Sequence, residues 1–201
     1  MSYRYQAKTD AEIEQTAAAI LTRFPKRRLG LAVDIEGILE DLGLDLLPRR
    51  GVRPHAEGYL ARDPRIIVVD EKIFTYPPRA RFTLAEEVSH LILEYELWKG
   101  GRLPVGADSH ELSEHQHFFV EKDAKSLASA LLMPAAIFAE TFNAKRRELE
   151  AAAAPQLNAL RETLKHTGEV FQVSPKAAAV RALKLKLLSR DALRRVFPNA
   201  K

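Results

Sequence analysis

Between Arg81 and Leu93 the sequence sets two adjacent glutamates and a histidine, Glu86, Glu87 and His90, into a stretch otherwise suited to burial. Phe82 and Leu84 precede them and Leu91, Ile92 and Leu93 follow, so a helix here has an apolar side that must be covered. Charged groups carried into a core are costly unless they are paired or bound to a cation. Glu86 and His90 lie four residues apart and share one helical face, with Glu87 beside them. The fold must therefore bring a second element to this face, one that supplies groups to match.

The rest of the chain suggests what surrounds that helix. Thr9 or Asp10 caps an expected helix with Ile13, Ala17, Ile20, Leu21 and Phe24 at helical spacing, ended by Pro25. A short helix is expected from Asp34 to Leu42, stopped by Gly43. Three strand-like runs follow: Leu44 to Leu47, Gly58 to Ala61, and Arg65 to Val69, the last rich in β-branched residues. After Pro78 the periodicity turns helical, with breaks at Pro104, Pro134 and Pro155 and a last helix opening at Pro175. Helices, a small sheet, then helices describe an α+β fold. A hydrophobic fraction of 46% supports a packed core, and the absence of cysteine excludes disulfides and thiolate metal sites. With no apolar leader and no long apolar run, the chain is expected to be soluble and cytoplasmic, with no membrane partner.

The spacing of Glu86, Glu87 and His90 has a chemical meaning. In H-E-x-x-H zinc peptidases two histidines four apart meet one ion, and the intervening glutamate acts on a metal-activated water. Here the run is Ala85-Glu86-Glu87-Val88-Ser89-His90, an E-E-x-x-H variant. A carboxylate oxygen can ligate zinc at about the distance of an imidazole nitrogen. Glu86 and His90 are thus candidate metal ligands, with Glu87 where a general base belongs.

A second element follows at Glu121-Lys122-Asp123-Ala124-Lys125-Ser126-Leu127-Ala128-Ser129-Ala130-Leu131-Leu132-Met133-Pro134. Together with Arg81-Phe82-Thr83-Leu84-Ala85, it resembles the ImmA/IrrE family of metallo-endopeptidases. Val33-Asp34-Ile35-Glu36, Glu57-Gly58-Tyr59 and Ile66-Ile67-Val68-Val69-Asp70 agree, and the resemblance covers about residues 10 to 188. It implies a zincin-like body with a small three-stranded sheet packed on helices, then a helical, helix-turn-helix-like C-terminal unit. It maps the catalytic glutamate onto Glu87, a ligand histidine onto His90, and the third ligand onto Glu121. Helix geometry agrees, because Glu121 shares a face with Phe118, Ala124 and Ala128, whereas Asp123 lies about 200° round and has the weaker claim.

The departure from the family is Glu86, which replaces a histidine. Two carboxylates and one imidazole make zinc a poorer Lewis acid and open the site to manganese. The other reading is a decayed, metal-free site in which Glu86 pairs with Arg79 or Arg81. The implied activity is hydrolysis of one peptide bond in a regulatory protein, a helix-turn-helix repressor of phage, mobile-element or stress genes. An extended substrate backbone is expected to pair with the strand Ile66 to Val69. The alternative is a catalytically degenerate regulator that binds a repressor, toxin or DNA without cleavage.

The remaining histidines suggest less. His110, His115 and His117 lie between the two helices without a metal-ligand spacing, and are read as a polar loop and helix start, although one of them can replace the missing first ligand. His55 and His166 have no partner pattern and read as surface residues. Charge divides the chain at about residue 144. Residues 145–201 hold 13 Lys and Arg against 5 Asp and Glu, a net of +8 that leaves the first 144 at −4. We accordingly expect a peptidase domain over 1–144 and a basic helical region over 145–201. There Gln156 to Phe171 and Lys176 to Leu188 form two helices, with Lys176, Arg181, Lys184 and Lys186 available for phosphate contacts. Packing of this pair on the body is the reading preferred over DNA binding.

Overall fold

The computed structural model describes residues 5–52, 57–61, 65–93 and 114–198. Helix α1, Asp10–Arg23, begins at a capping box: Thr9 accepts from the Glu12 amide while the Glu12 carboxylate accepts from the Thr9 amide. Its buried side is Ile13, Ala17 and Leu21. A two-stranded antiparallel hairpin, β1 Arg28–Leu29 and β2 Ala32–Val33, leads into α2, Ile35–Asp41, which Asp34 caps by accepting from the Gly37 amide. The main sheet comprises β3 Asp45–Arg49, β4 Gly58–Leu60 and β5 Ile66–Asp70.

The order in this sheet is β3-β5-β4, with β5 parallel to β3 and antiparallel to β4. This corrects the expectation that Ile66 to Val69 offers an edge to an extended chain. Both hydrogen-bonding sides of β5 are occupied, and among the described residues β4 is the outer strand next to the candidate site. The continuous apolar character of Ile66 to Val69 reflects a central position: Ile67, Val68 and Val69 are all buried.

A 3-10 turn at Glu71–Thr75 passes into α3, Pro77–Leu93. The later helices are α4 Glu114–Leu132, α5 Ala135–Ala151, α6 Gln156–Phe171, α7 Pro175–Lys184 and α8 Arg190–Val196. Pro134 divides α4 from α5, as a residue without an amide proton should. The helix expected to reach Leu188 instead ends at Lys184, because Lys186 takes a left-handed φ of 59°. Ser189 then caps α8 by accepting from the Ala192 amide.

Two apolar clusters flank α4. One joins Ile67 of the sheet, Leu84 and Val88 of α3, and Phe138, Phe142 and Phe171 of α5 and α6. The other joins Ile13 of α1 and Ile38 of α2 to Leu127 and Leu131 of α4. Helix α4 lies between them, which is why Ala124, Leu127, Ala128, Ala130, Leu131 and Leu132 are all buried. The three stacked or tilted phenylalanines, with ring centroids 5.5 and 6.2 Å apart, tie α5 to α6. Each buried phenylalanine contributes roughly 1.5–3 kcal/mol by transfer from water. Helix α5 runs unbroken through residues 144 and 145, and the first cluster draws residues from both sides of that point. Among the described residues no single helix is long and apolar enough to cross a membrane.

Candidate metal centre

Helices α3 and α4 pack against each other, and the small residues Ala85 and Ser89 on one and Ala124 and Ala128 on the other are all buried. The Ser89 hydroxyl donates to the Ala85 carbonyl, so it needs no partner from α4. This close approach carries Glu86 and His90 up to Glu121. A ligand atom from each of the three lies within 4.8 Å of the others, and among the described residues this is the one such group. His90 Nε2 stands 3.5 Å from Glu121 Oε1. Two ligands placed tetrahedrally about 2.1 Å from an ion lie roughly 3.4 Å apart, so that pair is already spaced for coordination and no other gap needs to close by more than about 1.4 Å. Glutamate rotamers supply such a movement. The donor set of one nitrogen and two carboxylate oxygens suits zinc or manganese.

Burial raises the Glu86 carboxyl above its ordinary range, against the opposing pull of Lys125 and His90. The partner of Glu86 is neither arginine expected from the sequence. Arg79 makes a two-pronged hydrogen-bonded pair with Glu57, and Arg81 is buried with Nη2 donating to the Val33 carbonyl at 2.6 Å. Lys125 fills the place instead, its Nζ 3.5 Å from Glu86 Oε1 and 3.2 Å from Glu121 Oε2. Burial depresses the Lys125 ammonium, but the two carboxylates together outweigh it and hold the group above its ordinary value. The sequence reading overlooked Lys125, although its position four residues after Glu121 was a signal that they share a face.

Glu87 is buried on the next face of α3, against β4. A Cβ added to Gly58 would stand 3.1 Å from Glu87 Oε1 and 3.2 Å from Thr83 Cγ2, so the bare backbone of this strand is what lets it pass over the carboxylate. Glu57 holds the start of the same strand to α3, accepting from Thr83 at 3.2 Å as well as from Arg79. Arg79 accordingly keeps the Glu57 carboxyl below the usual range.

The other candidates are placed elsewhere. Phe118, expected to pack inward with Glu121, is 62% exposed, because the inward side of α4 begins only at Val120. Asp123 is buried on the opposite side, accepting from the Tyr5 hydroxyl at 3.0 Å and the Lys8 amide at 2.7 Å. Its role is to pin the segment before α1. His115 stacks edge-on against Phe119, and neither it nor His117 joins the three-residue group. His55 and His110 lie outside the described residues.

In the C-terminal unit Gln172 makes the turn between α6 and α7 with φ 53°, so a side chain takes the left-handed position a glycine would usually hold. Arg181, expected to be available for phosphate contacts, is fully buried. It donates to the Met133 carbonyl and to both oxygens of Glu14, since α7 turns its Ala178, Arg181 and Ala182 face inward. Lys184 pairs with Asp10 at 3.1 Å, whereas Lys176 and Lys186 are exposed.

No curated protein matches the chain. Its structure is similar to one described as a Mycobacterium tuberculosis transcriptional regulator, with TM-score 0.56 and 16% identity over 86% of this chain. The match spans 46% of that protein's chain, less than half its length, and at this identity the likeness concerns the fold alone. The family described as Peptidase_M78, IrrE N-terminal-like domain, matches residues 33–183, most of the sequence and all four residues Glu86, Glu87, His90 and Glu121, and the chain belongs to that family.

Proposed function

We propose that the chain is a metal-dependent endopeptidase acting on a regulatory protein, a helix-turn-helix repressor of phage, mobile-element or stress genes. The observation that carries this reading is the convergence of Glu86, His90 and Glu121 beside Glu87, over which Gly58 of β4 passes closely. Glu86, His90 and Glu121 would hold zinc or manganese, which supplies Lewis acidity to a carbonyl and to water. Glu87 accepts the proton from the attacking water and returns it to the departing amine. Its burial against Gly58 limits the freedom of that carboxylate. Membership of the family supports the peptidase class, and the regulator described above supports a regulatory setting only by likeness of fold.

A second reading, a regulator that binds a repressor, toxin or DNA without cleaving, is favoured by Glu86 itself. Two carboxylates weaken the Lewis acidity of any ion they hold. One experiment separates the two: elemental mass spectrometry of the unchelated protein beside Glu86→Ala and Glu121→Ala, followed by incubation of the wild type and Glu87→Gln with a panel of repressors. About one equivalent of metal, lost in both alanine variants, with cleavage lost in a folded Glu87→Gln, is the expected result. A wild type that takes up neither zinc nor manganese refutes the enzyme reading, and cleavage by Glu87→Gln refutes the role of Glu87.

A further inference from the structure

The cation position of the site is contested from within the chain. Lys125 lies one helical turn beyond Glu121, and its ammonium bridges the two carboxylates at 3.2 and 3.5 Å. Its side chain is 56% exposed, while that of Glu86 is only 19% exposed. The two ends of the bridge therefore differ in character. Glu86 cannot readily turn to water and needs a cation where it stands, whereas Lys125 can swing out along its flexible stem with its proton and rejoin solvent. A surface ion pair alone would be worth little, but here the same ammonium satisfies two neighbouring carboxylates that would otherwise repel one another.

We propose that Lys125 is a tethered counter-ion that occupies the metal position and must swing into solvent before a divalent ion binds, so that it sets the metal concentration at which the centre loads. The inference rests on the metal-site reading above. An entering ion of charge +2 and the ammonium cannot share the space between Glu86 and Glu121, since like charges at such distances repel strongly in a partly buried site. Without metal the ammonium thereby offsets half of the charge of the two carboxylates, and the site loads only when metal is plentiful. Lys125 is a regulatory residue in this scheme and takes no part in the hydrolytic step.

The test is zinc and manganese affinity of the full chain, by chelator competition, for the wild type, Lys125→Met, Lys125→Gln and Lys125→Arg. Both neutral variants should bind zinc roughly 10- to 100-fold more tightly than the wild type, and Lys125→Arg should not. Without metal, the neutral variants should melt at lower temperature than the wild type, and saturating zinc should reverse that order. Equal affinities for the wild type and both neutral variants overturn the proposal and leave the metal site intact. No binding by any of the four overturns the proposal together with the metal-site reading.

Discussion

Arg181 is the largest fully buried side chain among the described residues, and its pairing with Glu14 makes an asymmetric prediction about stability. Its Nε donates to the Met133 carbonyl at 2.9 Å, and Nη1 and Nη2 donate to the two Glu14 oxygens at 2.5 and 2.9 Å. Arg181 is 0% exposed but Glu14 is 31% exposed, so truncating one is not equivalent to truncating the other. Glu14→Ala strands an arginine charge in the interior with no water to turn to, at an expected cost of about 3–5 kcal/mol. Arg181→Met keeps the apolar stem and lets Glu14 rehydrate. It forfeits chiefly the bond to the Met133 carbonyl, about 1–3 kcal/mol. The more exposed residue should therefore be the more sensitive one. In the double variant the stranded charge is gone, so it should cost little more than Arg181→Met alone and fall well short of the sum of the two single variants. Urea unfolding at neutral pH, with slopes compared to check two-state behaviour, measures all four proteins. Glu14→Ala within about 0.5 kcal/mol of wild type would refute the reasoning, because it would mean the guanidinium finds solvent and is free to meet a phosphate.

Two further outcomes are expected. Glu86→His replaces an anionic oxygen with a neutral nitrogen, and should move the ratio of zinc to manganese affinity toward zinc; an unchanged ratio in chelator competition would remove Glu86 from the ligand set. Arg79 lowers the Glu57 carboxyl, so the stability this pair contributes is complete above the ordinary value of 4.5 and is lost as pH falls through the lower folded value. The stability difference between wild type and Glu57→Gln should accordingly be flat from neutral pH down to about 5 and shrink in more acid solution, and a difference that grows there would reverse the assignment.

Much of the fold is local in origin and was legible for that reason. The Thr9 cap, the apolar spacing of Ile13, Ala17 and Leu21, and the span of Gln156–Phe171 depend on residues within a few turns of one another. The same holds for the shared face of Glu86 and His90, and resemblance to a family added Glu121. The hairpin at Arg28–Leu29 and Ala32–Val33 was not legible, since strands of two residues carry no period. Nor was the early end of α7, which turns on a left-handed Lys186.

What tertiary structure decided are the choices made between distant segments. The sequence presents three strand-like runs but not the placing of β5 between β3 and β4, which denies Ile66 to Val69 a free edge and makes Gly58–Leu60 the outer strand among the described residues. It presents a basic C-terminal region but not the partner 167 residues away that takes Arg181 into the interior. It presents the two carboxylates of the site but not the ammonium between them, because Lys125 reaches Glu86 only once α3 and α4 have packed. Periodicity reports which side of an element is buried. Which charges then meet depends on packing between elements far apart in the chain, where the cost of leaving a buried charge alone selects the partner.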